Sequence, residues 1–175
     1  GLTTRDPYSD WDAVGWGTAD AIELIESGER YVCLGDLGPI ATARYQVELE
    51  FALIDQPMAD ADAFGLAFGC PDDRYFGSGE GYLATLRGDG AGAILSRSAD
   101  GSLVELAEAV PSGRLQPNKW RRLSVGVDPE RIGYAVDGQA PIQVADRGWR
   151  GGYLHIGRTA GGARIAVRGV SVRSS

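Results

Sequence analysis

The stretch NKWRRLSVGVDPERIGYAVDG, Asn118–Gly138, is the best-patterned passage in the chain. After Trp120, an alternating run puts Leu123, Val125 and Val127 on one face, the turn Asp128-Pro129-Glu130 interrupts it, and a second run ends on Val136-Asp137-Gly138. Period-two alternation on both sides of a charged turn reads as a hairpin of two half-buried antiparallel strands. Trp120, at the head of this hairpin, is expected to be a packing residue. The hairpin contains no nucleophile, phosphate loop or metal cluster, so it is framework, and specificity must lie in the loops and open sheet face around it.

The same period extends outward. In ARYQVELEFALID (Ala43–Asp55), Tyr45, Val47, Leu49 and Phe51 alternate with Gln46, Glu48 and Glu50, a strand with one face on a core and one toward water or a ligand. RYVCL, AFGLAFG, GYLATLRG, GAILSRS and SLVELAEAV follow the same logic between Gly, Asp and Ser. GYLHIGR and ARIAVRGVSVR close the chain, with Ile165, Val167 and Val170 or Val172 facing inward. The glycine near the middle of that last run suggests a bulge. TADAIELIE (Thr18–Glu26) suits a short helix or a strand equally. The opening residues 1–17 show no period and are expected to form an irregular arm anchored by Trp11 or Trp16. Ten to twelve short strands without a βαβ rhythm imply an all-β fold, a two-sheet antiparallel β-sandwich or jelly roll, forming a single domain over residues 1–175.

Bulk composition fits this reading. The 175 residues include 26 glycines spread in short clusters, as many turns require. A net charge of −7 repels phosphate backbones and anionic bilayers, which disfavours nucleic acid and membrane surfaces as partners. Cys33 and Cys70 are too few for a disulfide framework and too distant for a metal knuckle; one bridge or two buried thiols both fit.

The order of these segments resembles the concanavalin-A-like lectin/glucanase jelly roll, in its laminin-G-like and bacterial carbohydrate-module versions. YQVELEFAL resembles the long inner strand, AFGLAFG and GYLATL the following pair, KWRRLSVGV with RIGYAVDGQ the hairpin ending in DG, and GYLHIG with ARIAVRGVSV the closing strands. The likeness spans about residues 11–173. It implies a domain that binds a glycan or polysaccharide, or a protein partner, in an extracellular or periplasmic setting. A minority of such domains hydrolyse polysaccharides, and related ones often hold a structural calcium ion.

Retaining glycosidases need two carboxylates about 5–5.5 Å apart. Glu48 and Glu50 are the same-face acidic pair on a clear strand, but the Glu-x-Asp-x-x-Glu pattern of laminarinase-type relatives is incomplete there. The opening DPYSDWDAVGWG resembles that of bacterial domains acting on modified disaccharides, so a glycoside or keto-sugar hydrolase stands as the alternative. His155, the one histidine, alternates with Leu154 and Ile156 and is expected on a polar face beside Tyr153, as a ligand contact rather than a base. One histidine and two distant cysteines argue against zinc. For calcium, the oxygen-rich loops offer Asp60 and Asp62, then Asp72 and Asp73. Sugar binding asks for flat aromatic faces flanked by planar polar groups. Arg74, Tyr75, Phe76, Glu80 and Tyr82 around a glycine-rich loop offer these, as does Trp149 between arginines. The sequence thus leads to a non-catalytic, lectin-like carbohydrate-binding module.

Overall fold

One-sided strands gain stability only by turning their apolar sides toward one another. The computed structural model describes residues 11–14, 21–24, 30–34, 39–71, 80–98, 100, 102–111, 113–139, 142–146, 151–158 and 163–174. They form thirteen strands: β1 (Trp11–Val14), β2 (Ala21–Leu24), β3 (Arg30–Cys33), β4 (Tyr45–Leu53), β5 (Ala63–Cys70), β6 (Gly81–Arg87), β7 (Gly92–Arg97), β8 (Leu103–Glu108), β9 (Arg121–Val127), β10 (Arg131–Val136), β11 (Ile142–Ala145), β12 (Tyr153–Arg158) and β13 (Ile165–Ser174). A seven-stranded sheet runs β1-β2-β13-β4-β9-β10-β11 and a six-stranded sheet runs β3-β12-β5-β6-β7-β8. All the pairings are antiparallel. The expected two-layer, all-β architecture is what the chain adopts.

The core lies between the layers. From the seven-stranded sheet come Tyr45, Val47, Leu49 and Phe51 of β4, Leu123, Val125 and Val127 of β9, and Ile165 and Val167 of β13, all buried. Phe64, Leu66 and Phe68 of β5 face them from the other sheet. At the centre the Phe51 and Phe64 rings stack across the interlayer, centroids 4.5 Å apart and planes within 5°. A second link is polar: the buried Tyr134 hydroxyl on β10 donates to the Thr85 carbonyl on β6 at 2.8 Å. A phenol sealed in a core needs such a partner. Gly92 makes room for it, since a Cβ there would stand 2.9 Å from the Tyr134 ring.

Four features sharpen the sequence reading. Trp11–Val14, expected within an irregular arm, is an edge strand paired with β2. Thr18–Glu26 resolves as strand where it is described, at Ala21–Leu24, held between β1 and β13. The expected bulge is present: register slips between Arg168 and Ser171 around Gly169, whose φ of 63° suits glycine. β11 was not anticipated, because IQVA is short and weakly alternating.

The Phe51–Phe64 stack gives a direct check on this packing. Phe51→Ala is expected to cost about 3–5 kcal/mol in equilibrium urea unfolding, through lost burial and the cavity left behind. A loss under about 1 kcal/mol would show that the rings do not carry the interlayer.

Candidate functional site

The two outer faces differ, and the difference decides where a ligand can sit. β5 is buried at every position, on both its sides. On the outer side of its sheet Tyr31, Ala67, Cys70 and Leu83 form a second apolar cluster, joined by Leu95 and Tyr153. His155 lies on this side, in register with Cys33 and Ala67. Its side chain is 0% exposed. The expectation of a ligand-facing histidine therefore fails: alternation places it beside Tyr153, but that face is covered rather than wet.

Cys33 and Cys70 are both buried and are not bridged to each other. They flank β12 on opposite sides, Cys33 in register with His155 and Cys70 with Tyr153. Two strand spacings, roughly 9–10 Å, exceed the Cα separation a disulfide spans. Burial pushes the Cys70 thiol far above its ordinary range, and the neighbouring Cys33 adds to the shift. Such a thiol is a poor nucleophile.

The outer face of the seven-stranded sheet is open and polar. One row of register partners crosses five strands: Arg173 on β13, Gln46 on β4, Gly126 on β9, Gly133 on β10 and Gln143 on β11. The two adjacent glycines leave bare backbone as a floor, and a Cβ built on Gly126 meets nothing within 4 Å. Above it opens a groove of about 590 Å³, to which Arg44, Asp128 and Arg131 also contribute. The Arg173 guanidinium donates to Gln46 Oε1 at 3.3 Å. Asp128 Oδ1 accepts the backbone N–H groups of Glu130 and Arg131 at 2.8 and 2.9 Å. These bonds, that of Glu130 foremost, hold the Asp128 carboxyl below its usual range, with help from the charges of Arg44 and Arg131. The β9–β10 turn is thereby fixed beside the groove.

Further along the same face, Glu48 lies 3.6 Å from the Arg173 guanidinium and accepts the Gln46 amide at 3.1 Å, while Glu50 lies 3.5 Å from Arg168. Both sequence-singled carboxylates thus sit among arginines on a sheet surface. Trp120 was expected to pack, and it does so at the surface. It is half-buried, not part of the core, and its ring lies under the Arg168 guanidinium at 3.8 Å. That is a cation–π contact at the far end of the open face.

The remaining sequence-singled residues divide. Glu80 and Tyr82 share a depression of about 340 Å³ with Gly69, Ser96 and Arg97. Tyr82 is nonetheless mostly core: its ring stacks on Phe68 at 5.5 Å and its hydroxyl donates to Asp146 at 2.7 Å. Arg74, Tyr75, Phe76, Trp149, Asp72 and Asp73 lie outside the described residues. Of the calcium candidates that are described, Asp60 is bound by the Arg114 guanidinium. Among the described residues no group of three or more His, Cys, Asp or Glu side chains converges as a metal site. The described part of this set, Asp60 and Asp62, does not by itself make up a hard-cation site, which needs several converging oxygens.

The glycine row escaped the sequence reading. Its signal was present, since Gly126 in LSVGV and Gly133 in RIGYA stand inside strands, where glycine often marks close approach of a ligand or another backbone.

No family model matches the chain, and no curated protein matches it by sequence. Solved structures do. A carbohydrate-binding module, CBM66 from Bacillus subtilis, superposes with a TM-score of 0.73 at 17% identity, covering 99% of this chain and 96% of its own. The carbohydrate recognition domain of Emp47p gives 0.71 at 12% identity, covering 99% and 88%. The family 7 alginate lyase A1-II′ gives 0.61 at 13% identity, covering 95% and 84%. The fold is thus the concanavalin-A-like sandwich, which carbohydrate-binding modules, lectins and lyases share.

The thiol geometry is open to direct measurement. The native protein is expected to leave both cysteines unreacted with Ellman's reagent at pH 8, and to release two thiols per chain in guanidinium. No thiol on unfolding would reveal a disulfide and contradict the strand spacing.

Proposed function

We propose that this concanavalin-A-like sandwich is a non-catalytic carbohydrate-binding domain that seats a saccharide in the groove on its seven-stranded sheet. The observation that carries the reading is the row Arg173–Gln46–Gly126–Gly133–Gln143. Sugars present dense hydroxyls that both donate and accept. The amides of Gln46 and Gln143 do the same in a plane, and a guanidinium supplies a fork of donors. The glycine floor lets a ring lie on the backbone without meeting a side chain. Across the row, four strand spacings give roughly 19 Å, long enough for a chain rather than one ring. Two of the similar structures are named for carbohydrate binding or recognition, which supports a glycan as the ligand class.

No bond-breaking step is assigned. Glu48 and Glu50 lie further along the same open face, beyond the groove's lining, where water is not excluded from a reacting bond. Their role in this reading is to orient Arg173 and Arg168. An extracellular or periplasmic setting, where polysaccharides are met, belongs to the same proposal.

Affinity electrophoresis through gels containing single polysaccharides tests the reading, with Gly126→Leu as the comparison. The side chain has open space, so stability is expected to stay within about 0.5 kcal/mol while it fills the groove. Wild-type protein is expected to be retarded by at least one polysaccharide and the variant by none. Equal retardation of both, or retardation of neither, contradicts the proposal. Should any glycoside be turned over, loss of that turnover in Glu48→Gln or Glu50→Gln would replace binding with catalysis.

A further inference from the structure

The groove's charge is opposite to that of the chain around it. Its lining carries Arg44, Arg131 and Arg173 against the single Asp128, two net positive charges that Glu48 beside Arg173 reduces to one, in a protein whose formal charge is −7. The one acid is also the least available, because its Oδ1 already receives two backbone N–H groups of the β9–β10 turn. Arg44, Arg131 and Arg173 are all exposed at the groove. Arg173 lies 3.6 Å from Glu48 and donates to Gln46, and Arg44 and Arg131 act on the Asp128 carboxyl, so a ligand's acidic group would share these guanidinium groups with the protein's own acceptors. A row of amides and bare backbone would suffice for a neutral sugar. Three arginines around that row add what a neutral sugar does not use: planar forks that pair two-pronged with carboxylate or sulfate oxygens.

We infer that the groove selects an anionic saccharide, one bearing carboxylate or sulfate groups, with those groups held by Arg44, Arg131 and Arg173 while the ring rests on Gly126 and Gly133. The inference rests on the carbohydrate-binding reading and narrows its ligand.

The geometry also orients the ligand. Arg44 adjoins β4 at the groove's end, and Arg173 lies one strand from Gln46 on β13. On the other flank Arg131 is shared with a neighbouring depression of about 380 Å³, where Glu130 and Asp146 reverse the sign. An acidic group therefore sits between Arg131 and the Arg44–Arg173 side, and is repelled if it slides past Arg131. The field is local, because at physiological salt it is screened within about 8 Å. The acidic remainder of the surface discourages anionic polymers elsewhere and leaves this groove as the place of contact.

Isothermal calorimetry with three probes tests this: an oligogalacturonate, the same oligomer with its carboxyl groups reduced to alcohols, and a sulfated oligosaccharide of similar length. At least one of the two acidic probes is expected to bind, with affinity falling several-fold between about 0.05 and 0.5 M NaCl, and the reduced oligomer to bind at least about tenfold more weakly. Which acidic probe binds better tells carboxylate from sulfate. Arg44→Gln/Arg131→Gln and Arg173→Gln are expected to weaken acidic binding about tenfold, with unchanged melting temperature, while Arg114→Gln, remote from the groove, leaves it unaltered. If the reduced oligomer binds as well as its acid parent, or the arginine variants bind as the wild type does, the anionic inference is wrong and the carbohydrate reading stands. If none of these probes binds but a neutral polysaccharide retards the protein, the same conclusion follows. If no saccharide of either kind binds, both fail together.

Discussion

The interlayer contact of β4 governs the rest of the molecule. Phe51 stacks on Phe64, and with it Tyr45, Val47 and Leu49 are drawn inward. Because side chains alternate along a strand, that single choice sends Gln46, Glu48 and Glu50 outward, and a slip by one residue would invert both sets. The neighbours are carried along: register with β9, β10, β11 and β13 lines up Gln46 with Gly126, Gly133, Gln143 and Arg173. The polar groove is thus a consequence of an apolar decision made on the other side of the same strand.

The second consequence is the asymmetry between the sheets. The six-stranded sheet spends β5 and much of β6 on burial at both faces, and its outer cluster encloses His155, Cys33 and Cys70. Groups that would be reactive in water are there packing residues. The seven-stranded sheet keeps one face in contact with solvent, and its charged residues meet each other in pairs along it, Arg168 with Glu50 and Arg173 with Glu48. The proposed recognition site is placed on that open face because its groove combines polar side chains with the uncovered backbone of Gly126.

Local pattern made much of this legible in advance. YQVELEFAL, the WRRLSVGVDPERIGYAV hairpin and the bulge at Gly169 were readable because alternation, turn chemistry and a lone mid-strand glycine are properties of a few adjacent residues. His155 shows where that logic ends. Alternation tells which side of β12 it occupies, but whether that side is wet depends on Tyr31, Ala67 and Leu83 from three other strands. The hint lay in AFGLAFGC, whose unbroken apolar run means burial on both faces. Trp120 packs as its place at the head of the hairpin implies, but its partner was not readable locally, since Arg168 is brought alongside from β13 and covers it from the open face. The glycine row was the least legible feature, since its members are spread over 128 positions from Gln46 to Arg173 and become neighbours only through strand order.

The account stands on one location, the backbone floor between β9 and β10. Titrating isotope-labelled protein with oligogalacturonate or the sulfated oligosaccharide, whichever binds more tightly, and following amide resonances locates binding directly. The account predicts saturable shifts at Gly126, Gly133 and Gln46, with the amides of Leu66, Ala67 and His155 unmoved. Shifts confined to the Glu80–Tyr82 depression or to the six-stranded sheet, or no shifts with any saccharide, would contradict it.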